Sequence, residues 1–136
     1  MHIIPERMMN AAARFHGHLG PFLILGLKAG LFANEVFGKD PFRTRAIIET
    51  DPVPPCSCAV DGIQIATGCT MGKGNIELKK GPSFTVIFQN GEKKVELTLK
   101  SEVFERLKAV ASEDDIEGEN LNLSREPIRS LFDIKV

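Results

Sequence analysis

The chain contains no tryptophan and no tyrosine, and only three cysteines in 136 residues. An odd number of thiols does not suit a secreted disulfide framework, in which cysteines pair. A reducing cytoplasm, with the cysteines as ligands, core residues or reactive thiols, is the expected setting. An excess of one charge is missing too: 17 Lys and Arg against 18 Asp and Glu leave a formal net charge of -1. Such a balance gives no general attraction to nucleic acid or to an anionic membrane, and neither is expected as a partner. No apolar run reaches the roughly 20 residues of a membrane helix. The nearest, Phe22 to Phe37, is interrupted by Lys28 and Glu35. The N-terminus lacks a basic region followed by an apolar core and a cleavage site, so no signal peptide is expected. Internal repeats and low-complexity tracts are also absent. What is present, 43% hydrophobic and 26% charged residues, suits a single globular domain over residues 1–136 with a real core.

Apolar spacing and punctuation order that domain. Pro5 opens a first helix in which Met8, Met9, Ala12 and Phe15 recur at helical spacing. A second helix runs from Pro21 to Phe37, with Gly38 as its stop. Gly26 and Gly30 weaken it, by about a kilocalorie per mole each relative to alanine. Close approach of another backbone is the usual compensation, so this helix is expected to be buried on most sides. Thr44 to Thr50 reads as a strand, Cys58 to Thr67 as a short helix, and Asn75 to Leu78 as a short strand. Phe84 to Gln89 and Lys94 to Leu99 flank Asn90-Gly91, a strong two-residue hairpin signal. Ser101 caps a helix through about Ala111, with Val103, Leu107 and Val110 inward. Ser112 to Asn120 carries five acids and reads as a solvated loop. A short terminal helix starts at Ser124, packing back through Ile128, Leu131 and Phe132. This order predicts an α+β fold with a mixed sheet.

Two stretches can carry chemistry. In Phe15-His16-Gly17-His18-Leu19-Gly20-Pro21, two imidazoles stand one residue apart just before a helix start. Gly17 and Gly20 permit a sharp turn through positive φ. Histidine is the commonest metal ligand and titrates near neutral pH, yet a His-x-His pair alone also suits a solvated surface turn. Around the short helix lie Cys56, Cys58, Asp61, Gln64 and Cys69. Cys58, Asp61 and Gln64 are three apart and share a helical face. With His16 and His18, these sulfurs could form a mixed N/S site suited to zinc. Their spacing matches no paired zinc pattern, so buried structural cysteines fit the spacing equally well. Gly68-Cys-Thr-Met-Gly-Lys73-Gly74 fails as a phosphate loop, because the glycine spacing is short and no Ser or Thr follows the lysine. Lys73 could still bind an anionic group of a cofactor or substrate, or it is a solvated lysine on a tight connection.

Taken together, Phe15-His-Gly-His-Leu-Gly-Pro21, Gly26-Leu-Lys-Ala29, Cys58-x-x-Asp61-Gly-Ile-Gln64 and Gly68-Cys-Thr-x-Gly-Lys-Gly-Asn75 resemble the FmdE (FwdE) family of formylmethanofuran dehydrogenase subunits. The resemblance covers roughly the whole chain. It implies an α-β-α-β-β-β core with a mixed four-stranded sheet packed on helices. It also implies a divalent metal, most often zinc, on His18, Cys58 and Cys69, with His16 next and Asp61 and Gln64 nearby. Cys56 is not in the pattern. No cysteine follows Cys69, whereas longer members carry a C-terminal zinc ribbon, so a free-standing member is expected. The expected function is a cytoplasmic metal protein linked to one-carbon or molybdenum/tungsten-pterin metabolism, and a homodimer. As an enzyme, it would polarise a small-molecule substrate or activate water at an open metal position, with Asp61 carrying protons. The alternatives are a metal or ligand delivery protein without turnover, and a structural component whose metal only fixes the fold. The lysines of Lys94 to Lys100 are expected to protect an open sheet edge, leaving helical surfaces for dimerisation.

Overall fold

Helix α2 (Pro21–Phe37) is the axis on which the rest packs. Its mean composition is apolar all round, and from Pro21 to Gly30 every residue is buried, as expected for a helix enclosed on most sides. Pro21 sits at its first position and Gly38 caps its end at φ 76°, the bounds read from the sequence. The computed structural model describes residues 3–111 and 117–136.

Helix α1 (Glu6–His16) precedes α2 and ends at Gly17, whose φ of 109° only glycine adopts readily. Phe15 does not join Ala12 in the core, as its spacing predicted, but stands exposed. After α2 come strand β1 (Arg45–Thr50), a 3-10 turn (Cys56–Cys58), helix α3 (Ala59–Thr67) and a second 3-10 turn (Met71–Lys73). Strands β2 (Ile76–Lys80), β3 (Thr85–Asn90) and β4 (Lys93–Leu99) follow, then helices α4 (Ser101–Ala111), α5 (Glu117–Arg125) and α6 (Ile128–Leu131), and strand β5 (Phe132–Lys135).

The sheet is mixed, as expected, in the order β2-β1-β3-β4-β5. Only β1 and β2, joined through α3, run parallel. It has five strands rather than four, because Phe132 leaves the terminal helix to pair with Leu99. That pairing removes the expected open edge at β4, whose free side is covered by β5. The hairpin register also differs by one residue: Asn90 pairs with Lys93, and the loop is Gly91-Glu92. Asn90 is held by its side chain, which donates to Asp40 and to Thr44 Oγ1. Residues 112–116 of the acidic stretch lie outside the described residues, and from Glu117 the chain is helical rather than a loop.

Inward side chains alternate along each central strand: Ala46 and Ile48, Val86 and Phe88, Val95, Leu97 and Leu99 are all buried. Phe22 meets Phe84 and Phe104 with ring centroids 6.0 and 6.3 Å apart, joining α2 to the sheet and to α4. On its other side α2 meets α3 backbone to backbone, at Gly26 and Gly62. A Cβ on Gly26 would lie 2.1 Å from Ala59 O, and one on Gly62 would lie 2.2 Å from Leu23 O. This contact fixes where the start of α3 sits relative to the turn that precedes α2.

One buried polar group in the core gives a pH signature. Lys28 is fully enclosed in α2, and its Nζ donates to the carbonyl of Ser124 in the last turn of α5 at 3.3 Å. Burial lowers its pKa from 10.5 to about 8, against the attraction of Glu126. The unfolded chain therefore holds this proton more tightly. The cost to folding, roughly 3 kcal/mol at about 1.4 kcal/mol per pKa unit, is fully present below pH 8. It is relieved as pH rises towards 10.5. Lys28→Met, compared with wild type by denaturation at successive pH values, should show its largest relative gain at pH 7 and a shrinking one above pH 8. A difference that stays constant with pH would show that the amine is not desolvated.

Candidate functional site

The turn after α1 and the first turn of α3 meet. Gly17 ends α1, and the extended Gly20 (φ -136°) leads into Pro21. Gly20 therefore does not serve by positive φ, as its place in the turn suggested. A Cβ there would lie 3.2 Å from His18 Cε1, so glycine leaves room for the imidazole to fold back on the chain. The His16 and His18 ring centroids are 5.1 Å apart.

Asp61, in the first turn of α3, faces His16. Its Oδ2 lies 2.5 Å from His16 Nδ1, with the two side chains 33% and 12% exposed, so the pair is only partly screened by water. With the Nδ1 proton donated to the carboxylate, His16 Nε2 keeps its lone pair for a metal or a proton. Gln64, one turn further on, donates from Nε2 to Asp61 Oδ1 at 3.3 Å. Its Oε1 accepts from the backbone N–H of Met71 at 2.9 Å. A hydrogen-bonded row thus runs from the histidine turn, across one face of α3, to the glycine-rich Gly68–Gly74 connection. The three-residue spacing of Asp61 and Gln64 signalled this face; the link to Met71 had no signal in the sequence.

The cysteines divide between the two ends of α3. Cys58 precedes the helix, half-buried, and its thiol is pushed up in pKa first by burial and then by the Asp61 and Cys56 charges. It therefore lies on the Asp61 side. Cys69 follows the helix, at the far end of a nine-residue element that rises about 13 Å. It is fully buried, and its Sγ donates to Thr44 O at 3.2 Å. Burial raises its pKa, opposed by the Thr67 hydroxyl, Lys73 and Arg45. The structure brings His16, His18, Asp61 and Gln64 together, with Cys58 at the same end, and does not bring Cys69 to them. Among the described residues, no three His, Cys, Asp or Glu side chains converge closely enough to hold a metal as they stand. Cys56 is buried in the core, and all three thiols are unpaired.

Lys73 stands in the second 3-10 turn, exposed, donating to Thr70 Oγ1 at 3.0 Å with its Nζ 5.4 Å from the Phe42 ring centroid. Phe42 was not singled out from the sequence. Nor was Asn120, buried in α5, which donates from Nδ2 to Leu19 O at 3.2 Å and so holds the histidine turn from 101 residues away. Contacts made at such separation leave no periodic trace.

A family model described as FmdE, molybdenum formylmethanofuran dehydrogenase operon, matches residues 15–132. In fold the chain is similar to the crystal structure of an FmdE-like protein of tungsten formylmethanofuran dehydrogenase from Syntrophus aciditrophicus. The TM-score is 0.64 at 20% identity, over 96% of this chain and 70% of that one. The chain is also 35% identical over 72 residues to a probable S-adenosyl-L-methionine-binding protein of Archaeoglobus fulgidus. That match takes in 52% of this chain but spans only 20% of the relative's length. No helix among the described residues is long and apolar enough to cross a membrane.

Proposed function

Since this chain belongs to the FmdE family, we propose that it binds a divalent metal, zinc by the nature of its donors, at the meeting of the histidine turn with the start of α3. The observation that carries this reading is the Asp61–His16 pair. A carboxylate on Nδ1 sets the tautomer and ring orientation that a metal-ligating histidine needs on Nε2. His16 and His18 would hold the ion, with Cys58 the nearest sulfur donor; two imidazoles and one thiolate suit a borderline cation and leave a position open. Bound there, the metal would supply Lewis acidity towards a small substrate or water.

The protein's own residues have separate tasks in this reading. Asp61 fixes His16 and can hold a proton at Oδ2. Gln64 fixes Asp61 and ties the pair to the Met71–Lys73 turn. Gly20 gives His18 its space, and Asn120 steadies the backbone of the turn. Family membership supports a place in one-carbon or molybdenum/tungsten-pterin metabolism, in a reducing cytoplasm that suits three free thiols. Whether the site turns over a substrate or only holds and delivers a ligand depends on that open position. A homodimer through helical surfaces completes the proposal, and light scattering at micromolar concentration should give twice the chain mass; the monomer mass alone would end it.

Elemental analysis of protein purified without a polyhistidine tag tests the metal directly. One equivalent per chain is expected, falling below a tenth in His18→Ala. Metal-free wild-type protein that takes up no zinc from a buffered solution would overturn the proposal.

A further inference from the structure

Two large apolar side chains stand almost wholly in solvent on segments that are otherwise firmly held. Phe42, between α2 and β1, is 82% exposed, and Met71, opening the second 3-10 turn, is 81% exposed. The buried Asn75 joins their two segments. Its Nδ2 donates to Pro41 O at 2.7 Å and to Thr44 O at 3.0 Å, and its Oδ1 accepts from Thr70 N at 2.9 Å. Thr70 Oγ1 in turn accepts from the backbone and side-chain nitrogens of Lys73. The exposure of Phe42 and Met71 is therefore built into a braced surface, and exposed apolar groups on a braced loop mark a binding surface.

The surroundings are cationic. Lys73 lies over the Phe42 ring. Arg45 is exposed at the start of β1, and it acts with Lys73 on the Cys69 thiol beneath, so both cations face the same region. The one acid in the Phe42 segment, Asp40, is engaged by Asn90 Nδ2 at 3.2 Å. The platform also communicates with the histidine turn, because the Met71 N–H is bonded to Gln64 and Gln64 to Asp61.

We propose that Phe42, Met71, Lys73 and Arg45 form a binding site for a small molecule that joins a planar ring to an anionic group. The ring lies against Phe42 and Met71, and the anion meets Lys73 and Arg45. Each half of the surface answers one half of such a molecule: a simple anion has no use for two solvated apolar side chains, and an uncharged ring has no use for paired cations. Aromatic faces accept planar heterocycles of many kinds, so the class of ligand is defined by ring and charge together. The site is separate from the proposed metal centre and does not depend on metal being bound.

The test uses the full isotope-labelled chain, titrated with adenosine monophosphate and followed by the amide NMR signals. Saturable shifts are expected at residues 41–45 and 70–74. Adenosine, the ring without the charge, and inorganic phosphate, the charge without the ring, should each bind at least tenfold more weakly. Phe42→Ala and Lys73→Gln should each weaken adenosine monophosphate at least tenfold, while Lys79→Gln on β2 leaves it unchanged. Both variants alter exposed side chains, and an unchanged circular dichroism spectrum confirms that they fold. Three results would overturn the proposal: no saturable shift at millimolar adenosine monophosphate, phosphate binding as tightly as the nucleotide, or shifts that follow protein concentration alone, which would mark the face as a contact between copies of the chain.

Discussion

Gly62→Ala should cost about 3 kcal/mol of stability or prevent folding, although alanine is the better helix former by about 1 kcal/mol. The added Cβ would lie 2.2 Å from Leu23 O and 2.8 Å from Leu27 N. Neither atom belongs to a flexible side chain that can turn away; both are backbone of the central helix. Inserted methylenes in filled cores cost about 1–3 kcal/mol, and contacts against backbone belong at the top of that range. Gly26→Ala should match it, since its Cβ would meet Ala59 O at 2.1 Å. Gly30→Ala should be milder, because the nearest atom, 2.6 Å away, is the Cβ of Ala66. Chemical denaturation orders the three variants. An unchanged midpoint for Gly62→Ala would show that α2 and α3 do not touch as described. A variant that does fold must move the start of α3, and Asp61 with it, away from His16, so its metal affinity should fall along with its stability.

The second large effect falls on the site itself. Asp61→Asn keeps the shape of the side chain but removes the charge that holds the His16 Nδ1 proton. Loss of such a partner typically lowers metal affinity about 10–100-fold. Gln64→Leu should have a smaller effect, because it removes one donor at 3.3 Å and leaves the charge in place. Metal competition against a chromophoric chelator measures both. Asp61→Asn with wild-type affinity would mean that His16 is oriented without the carboxylate, and the central observation would lose its meaning.

Much of this architecture was legible in the sequence where the cause was local. Pro21 and Gly38 bound α2 because fixed φ at a helix start and positive φ beyond its end are properties of single residues. Gly26 and Gly30 announced close packing because glycine in a helix needs a reason. The alternation of Val95, Leu97 and Leu99 gave the buried face of β4. Long-range pairing was not legible. Strand β5 is four residues long, and Phe132 fits a helical pattern with Ile128 and Leu131 until Leu99 offers it a ladder. The lysines of β4 looked like edge protection because nothing local shows that a later segment covers them.

The candidate site divides in the same way. Cys58, Asp61 and Gln64 share a face because helical spacing places them there. Cys69 belonged to the same motif in the sequence, yet a helix of nine residues stands between it and Cys58, and Thr44 O takes its thiol proton. Residue type alone could not separate a sulfur facing a site from one facing a backbone carbonyl.

Cobalt(II) substitution tests this division most directly, because sulfur-to-cobalt charge-transfer absorption reports which thiolate is bound. The account predicts a sulfur–cobalt band in wild-type protein that persists in Cys69→Ser and disappears in Cys58→Ser. A band lost in Cys69→Ser and kept in Cys58→Ser would contradict it.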